Sequence, residues 1–249
     1  MTRVAFLLLI ASALWTGGGP QSAPFPGDDE FFRLDYGAAE EQYEAVLKEQ
    51  PSDAGALWRL ARLYVIRGEA TEGEGKLSLY QKGETYARRA VELDPSCAEA
   101  HTWLAGALGN IAMLEGPSRR VRLSWEIKAQ LDSSLALNPE DHLAYGILGS
   151  YHRALGNVTW IERQVATVFF GGLPRGSHEE GVNAFHRAIA LAPRVMRHHL
   201  ELGKLYRDMG RDEDARQCFE EVLRLHVLVL SDSILQRDAR LYLKELSSG

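Results

Sequence analysis

Much of the usual chemical hardware is missing from these 249 residues. There are only two cysteines, Cys97 and Cys218, with no CxxC and no paired Cys/His set at metal-ligand spacing. They read as unpaired thiols packed as small hydrophobes, which leaves neither a zinc site nor a disulfide framework. No phosphate-cradling glycine loop, nucleophile–base pair or carboxylate dyad stands out, so no catalytic residue and no cofactor are assigned and the chain is expected not to be an enzyme. His198 and His199 are adjacent, roughly 100° apart on a helix, and do not converge on a metal. No metal site is assigned. Long runs of one charge sign are also lacking. With a net charge of -6, nucleic acid is not expected as a partner, and there is no polybasic tail to hold a membrane surface.

Apolar runs of spanning length are absent too. The N-terminal run, Val4 to Trp15, has 12 residues, short of the roughly 20 a spanning helix needs. Arg3 precedes it and a Gly/Pro-rich exit follows. Residues 1–19 are therefore read as a signal peptide, with an uncleaved membrane anchor as the alternative. The expected location is exported, periplasmic or secreted, with membrane contact only through the N-terminal segment if it is retained. Residues 20–29, "PQSAPFPGDD", read as a linker. Residues 30–249 read as one helical domain, because no convincing two-residue alternation occurs in them.

What is present is self-similarity. The segments Gly55–Gly68, Glu99–Asn110, Leu143–Gly156 and Arg197–Gly210 each carry a leucine followed by a small residue: Leu60-Ala61, Leu104-Ala105, Leu148-Gly149 and Leu202-Gly203. Three residues after the small one comes a large side chain: Tyr64, Leu108, His152 or Tyr206. The partner segments end at Pro51, Pro95, Pro139 and Pro193, where proline stops one helix and opens the next unit. Ser96 with Glu99 and Ser177 with Glu180 have capping-box spacing. The small residues let two helices approach closely and the large one fills the gap beside them. No single pair can bury its face, so pairs must stack.

This pattern resembles the tetratricopeptide repeat (TPR), best in the last unit, where Leu202, Gly203, Tyr206, Gly210, Ala215 and Phe219 fall at the signature spacings. The expected fold is an all-α, TPR-like α-α superhelix of about four helix pairs. "TEGEGKLSLYQKGE" and "EGPSRRVRLSWEIK" extend the second helices, and "SDSILQRDARLYLKELSSG" forms a C-terminal capping helix.

The third unit holds an insert, "NVTWIERQVATVFFGGLP" (Asn157 to Pro174). A helix of about three turns is expected, capped by Asn157, with Ile161, Val165 and Val168 on one face and Trp160, Phe169 and Phe170 widening it. Trp160, Glu162, Arg163, Ala166, Phe170, Gly171 and Pro174 resemble a motif of the regulator of microtubule dynamics family. There it also precedes a helix like "EEGVNAFHRAIALAP". The resemblance spans roughly residues 30 to 246. It implies a TPR-like domain without enzymatic activity. Animal members are associated with microtubules, mitochondria and organelle contact sites, and a lipid-binding role has been proposed for one branch. The export-type N-terminus suggests a bacterial relative, to which the microtubule role is not carried over.

Two readings of the insert stand side by side. Trp160, Phe169 and Phe170 plug the space opened by a longer repeat, or they line an apolar pocket in the concave surface. By the usual geometry of the repeat, Arg62, Arg153, Arg197, Lys204 and Arg207 face inward, with Trp58 and Leu200 among them. Such cations suit an anionic ligand, although Glu201 or Asp208 could pair with some of them. The ligand-binding candidates are therefore Arg62, Arg153, Trp160, Phe170, Arg197, Lys204 and Arg207. The expected function is a non-catalytic scaffold that binds a protein partner on its concave face. The alternative is a carrier of a lipid or other amphipathic anionic ligand in the same groove.

Overall fold

The computed structural model describes residues 24–227 and 232–247. The segment read as a signal peptide lies outside them. Two helices open the array, α1 (Asp28–Phe32) and α2 (Tyr36–Glu49). Four antiparallel pairs follow. They are α3 (Ala54–Ala70) with α4 (Lys76–Leu93), α5 (Ala98–Glu115) with α6 (Pro117–Leu137), α7 (His142–Gly156) with α9 (His178–Leu191), and α10 (Met196–Asp208) with α11 (Asp212–Arg224). The insert is α8 (Trp160–Phe170), and α12 (Asp232–Leu246) packs on α10 and α11. All regular structure among the described residues is helical. The fold is the expected TPR-like superhelix, and the extra residues of the first two units lengthen α4 and α6 as expected.

The small residues hold the pairs together. Ala61 and Ala105 are fully buried, and so is Phe185, which lies against Gly149. A Cβ built on Gly149 would sit 2.8 Å from the Phe185 ring, and one on Gly203 would sit 2.5 Å from Phe219. Glycine thus lets an aromatic ring of the second helix seat directly on the backbone of the first. Tyr64, Leu108, His152 and Tyr206, one turn on, are buried beside these contacts. The central core runs through α3 to α7, and a second core joins α9 to α12.

Three local expectations are corrected. Ser96 does not cap α5. Its hydroxyl donates to Asp94 at 2.6 Å, and Cys97 takes the cap position without its side chain accepting from a backbone N–H of the helix. Asn157 ends α7 instead of starting α8, and the capping box of α8 is formed by Thr159 and Glu162. Thr159, two residues further on, carries the capping hydroxyl and has the matching carboxyl of Glu162 at N3. Last, the described end of the segment read as a linker is docked. Phe25 lies against Tyr43, and Asp28 is buried. By contrast Ser177 caps α9, accepting from the Glu180 N–H at 3.2 Å.

The glycine–ring contacts predict opposite outcomes for two glycines. Gly203→Ala should destabilise by about 1–3 kcal/mol, because Phe219 is fully buried and cannot withdraw. Gly109→Ala should stabilise by about 0.5–1 kcal/mol, since nothing lies near that position and helix propensity alone decides. Thermal melts of the two variants check both signs.

Candidate functional site

Sequence reasoning placed its cations on the first helices of the pairs, and α10 carries most of them. Arg197 reaches across the array to Glu69 at the end of α3, 2.6 Å away. Glu201, one turn on, accepts from Lys204 at 2.7 Å and from Arg153 of α7 at 3.5 Å. Arg153 also donates to Asp208 at 2.6 Å, and Asn157 donates to the same carboxylate at 2.7 Å. Arg207 pairs with Glu245 of α12 at 2.9 Å and stacks on the Tyr242 ring. Arg153, Lys204, Arg207, Asp208 and Tyr242 enclose a cavity of about 250 Å³.

The electrostatics of this wall follow from partial burial. Burial works against the Glu201 carboxylate, yet Lys204, Arg153 and Arg197 together hold it below the ordinary carboxylate range. Asp208 is likewise held down, against its burial, by Arg153 and Asn157. Burial also opposes the Arg197 charge, and Glu69 and Glu201 sustain it. Each of the four cations therefore already has a carboxylate partner within the chain. The weakest-held of these partners is Glu245, whose side chain is 58% exposed.

Arg62 does not belong to this wall. It lies under α1, where its Nη2 donates to Asp28 Oδ1 and to the Tyr43 hydroxyl, both at 2.8 Å. Arg59 donates to both oxygens of Asp28, and the rings of Phe31 and Phe25 cover the two guanidinium groups. The expectation that Arg62 faces a ligand fails because α1 supplies a buried carboxylate that outcompetes solvent. Leu200 is fully buried in the C-terminal core instead of lining the groove.

Trp160 and Phe170 depart from expectation in another way. The α8 helix turns its apolar face outward. Trp160 is 74% exposed and Phe169 73%, Ile161, Val165 and Val168 are exposed, and Ala166 is the buried residue of the helix. Phe170 is partly covered but does not line the cationic cavity. What fastens α8 is polar. Arg163 donates to the carbonyls of Leu155 and Pro174, and the Trp125 indole N–H of α6 donates to Gly172 at 3.4 Å. Of the insert, Ala166 and Leu173 pack inward, while Trp160 and Phe169 neither plug the core nor line the cationic cavity.

On the inner face of α10, His198 is nearly fully buried and its Nε2 lies 3.0 Å from His142 Nδ1 of α7. Its own Nδ1 has no partner. Glu69 and Asp28 were the residues the sequence did not point out. Their partners are 128 and 34 positions away, and no periodicity connects such pairs.

The family model for Regulator of microtubule dynamics protein 1-3 matches residues 29–247, nearly all of the helical array. The chain belongs to that family. Regulator of microtubule dynamics protein 1 of Bos taurus is 32% identical over 174 residues, covering 68% of this chain and 55% of the bovine protein. Protein 3 of Mus musculus is 29% identical over 184 residues, 73% of this chain and 39% of the mouse protein. The chain thus spans less than two thirds of either relative. Among solved structures, a thermophilic TPR protein of Thermus thermophilus aligns with a TM-score of 0.63 at 20% identity, over 87% of this chain and 95% of that one, which shows the fold. Fold and family together describe this chain as a TPR-like helical array of the regulator family.

Two tests follow from the buried charges. Asp28→Ala leaves Arg59 and Arg62 buried without a counter-charge, so it should cost about 3–5 kcal/mol in a denaturant melt. The histidines set a pH dependence. Burial and the nearby His142, Arg197 and His199 charges push His198 down to about 3, and burial lowers His142 despite the neighbouring Asp141 carboxylate. The unfolded chain therefore takes up protons that the folded one refuses. Stability is full above about pH 6.5, the ordinary histidine value, and is lost progressively as pH falls toward 3. Melts should decline already between pH 6.5 and 5.5, above the carboxylate range, and His198→Gln should flatten that early decline.

Proposed function

We propose that the chain is a non-catalytic scaffold that seizes an acidic segment of a protein partner at the cavity formed by Arg153, Lys204 and Arg207, with Tyr242 as its floor. The observation that carries this reading is the Arg207–Glu245 pair. Glu245 is mostly exposed and reaches in from the terminal helix, so it occupies the place an incoming carboxylate would take. Exchange of one carboxylate for another on a guanidinium conserves the charge-assisted bonds and needs no new desolvation of the cation. Tyr242 supports the site from below, held by stacking on the buried Phe219 ring at 5.0 Å.

The carrier reading is less favoured. An amphipathic lipid needs an apolar cavity beside the cations, but four of the five residues around this one are charged. The aromatic residues that were to receive its tail face outward on α8.

Opposite substitutions test the proposal. Glu245→Gln frees Arg207 and should raise recovery of captured partner in a pull-down by about tenfold, the equivalent of one charge-assisted hydrogen bond. Arg207→Ala should lower recovery by a similar factor. Recovery that moves in the same direction for both, or for neither, with unchanged melting, excludes this cavity as the docking site.

A further inference from the structure

The outward apolar face of α8 has a coherent surrounding. Viewed down the helix, Trp160, Val168, Ile161, Val165 and Phe169 occupy one half of the circumference, and Gln164 is the polar residue among them. Val168 is 74% exposed. Trp125, also exposed, is tied to the helix end through Gly172. The face is a ridge standing on an anchored helix, with no companion element covering it among the described residues.

Cations flank the ridge. Arg120 of α6 lies close enough to Glu162 to help lower its carboxyl, whose main restraint is its cap on Thr159. Arg122 stands one turn before Trp125, and Arg175 follows Pro174 just beyond the insert. Arg120, Arg122 and Arg175 are exposed and form no ion pair among the described residues. The other charges here are committed. Arg119 pairs with Glu115, Lys128 with Asp132, and Arg163 with backbone carbonyls. In a chain of net charge -6 this is a local positive excess beside bare aromatic side chains.

We propose that α8 is an interfacial helix, by which the folded array lies on the surface of a bilayer containing anionic phospholipids. An amphipathic helix of this kind buries its apolar face about 5–10 Å into the boundary of headgroup and acyl chain. Tryptophan suits that depth because its ring is apolar and its N–H is polar. The three uncommitted arginines meet the negative surface potential, each adding attraction within a Debye length. A convex ridge of one helix favours a fluid surface, which closes around it, over a protein, which would need a matching groove. No described helix is long and apolar enough to cross the membrane, so the contact is peripheral. This face shares no residue with the concave cavity, so either reading can fail alone.

The test uses the full chain and sucrose-loaded vesicles, of phosphatidylcholine alone or with about one-third phosphatidylglycerol. Wild-type protein should sediment with the anionic vesicles. Val168→Ser/Phe169→Ser should weaken that partition by about tenfold while leaving the thermal melt unchanged, since both side chains are mostly exposed. Arg120→Glu/Arg122→Glu should weaken it similarly at low salt and less at high salt. The N-terminal segment is common to all variants and cancels from the ratios. Equal partition of wild type and the serine variant overturns the proposal, as does equal partition of wild type into neutral and anionic vesicles. A concentration-dependent dimer that the serine variant abolishes, with no vesicle binding by wild type, would assign the ridge to a second copy of the chain instead.

Discussion

The array depends on how near two helix backbones can come. Where Phe219 sits on Gly203 and Phe185 on Gly149, a side chain of the second helix replaces the Cβ layer of the first. That distance sets the angle within each pair, and the angle sets how the next pair stacks. The large buried residues one turn on, Tyr206 and His152 among them, only fit once the approach is that close. Propensity plays a smaller part. The α10 and α11 helices are polar on average, and amphipathic packing holds them instead.

This constraint explains why the fold was legible. A close approach needs a small residue at a fixed place, and a fixed place repeated four times can be read from a single chain. The same reasoning found the helical insert and the long second helices, because caps, prolines and 3.6-residue spacing are local. It failed where the deciding partner is distant. Arg62 looked like any inward-facing cation until Asp28 was placed beneath α1. Trp160 and Phe169 looked like core material because apolar periodicity says which residues share a face and nothing about which way that face turns. Even the cap of α8 slipped by two residues, since Asn157 and Thr159 are both good caps and only Thr159 stands three residues before a glutamate.

The candidate site was half visible. Arg153, Arg197, Lys204 and Arg207 do share one wall, as spacing on the first helices required. Their neutralisation by Glu69, Glu201, Asp208 and Glu245 was only partly foreseeable, because Glu69 and Glu245 come from the two ends of the array. The wall is thus an alternating lattice of charges, with one loosely held corner at Arg207, and not an open basic groove. On the opposite footing, α8 keeps its position through the buried Ala166 and backbone-directed bonds from Arg163, which leaves Trp160, Ile161, Val168 and Phe169 exposed.

Glu69 and Arg197 join helices 128 positions apart, and Arg237 of α12 meets Glu72 just beyond α3 at 2.6 Å. Most solenoids are open-ended, so units can be gained or lost at either terminus with little consequence for the remainder. Here the beginning of the coil touches its end through two ion pairs. Insertion or deletion of one whole unit would move Glu69 out of register with Arg197, whereas the insert in the third unit leaves that contact in place.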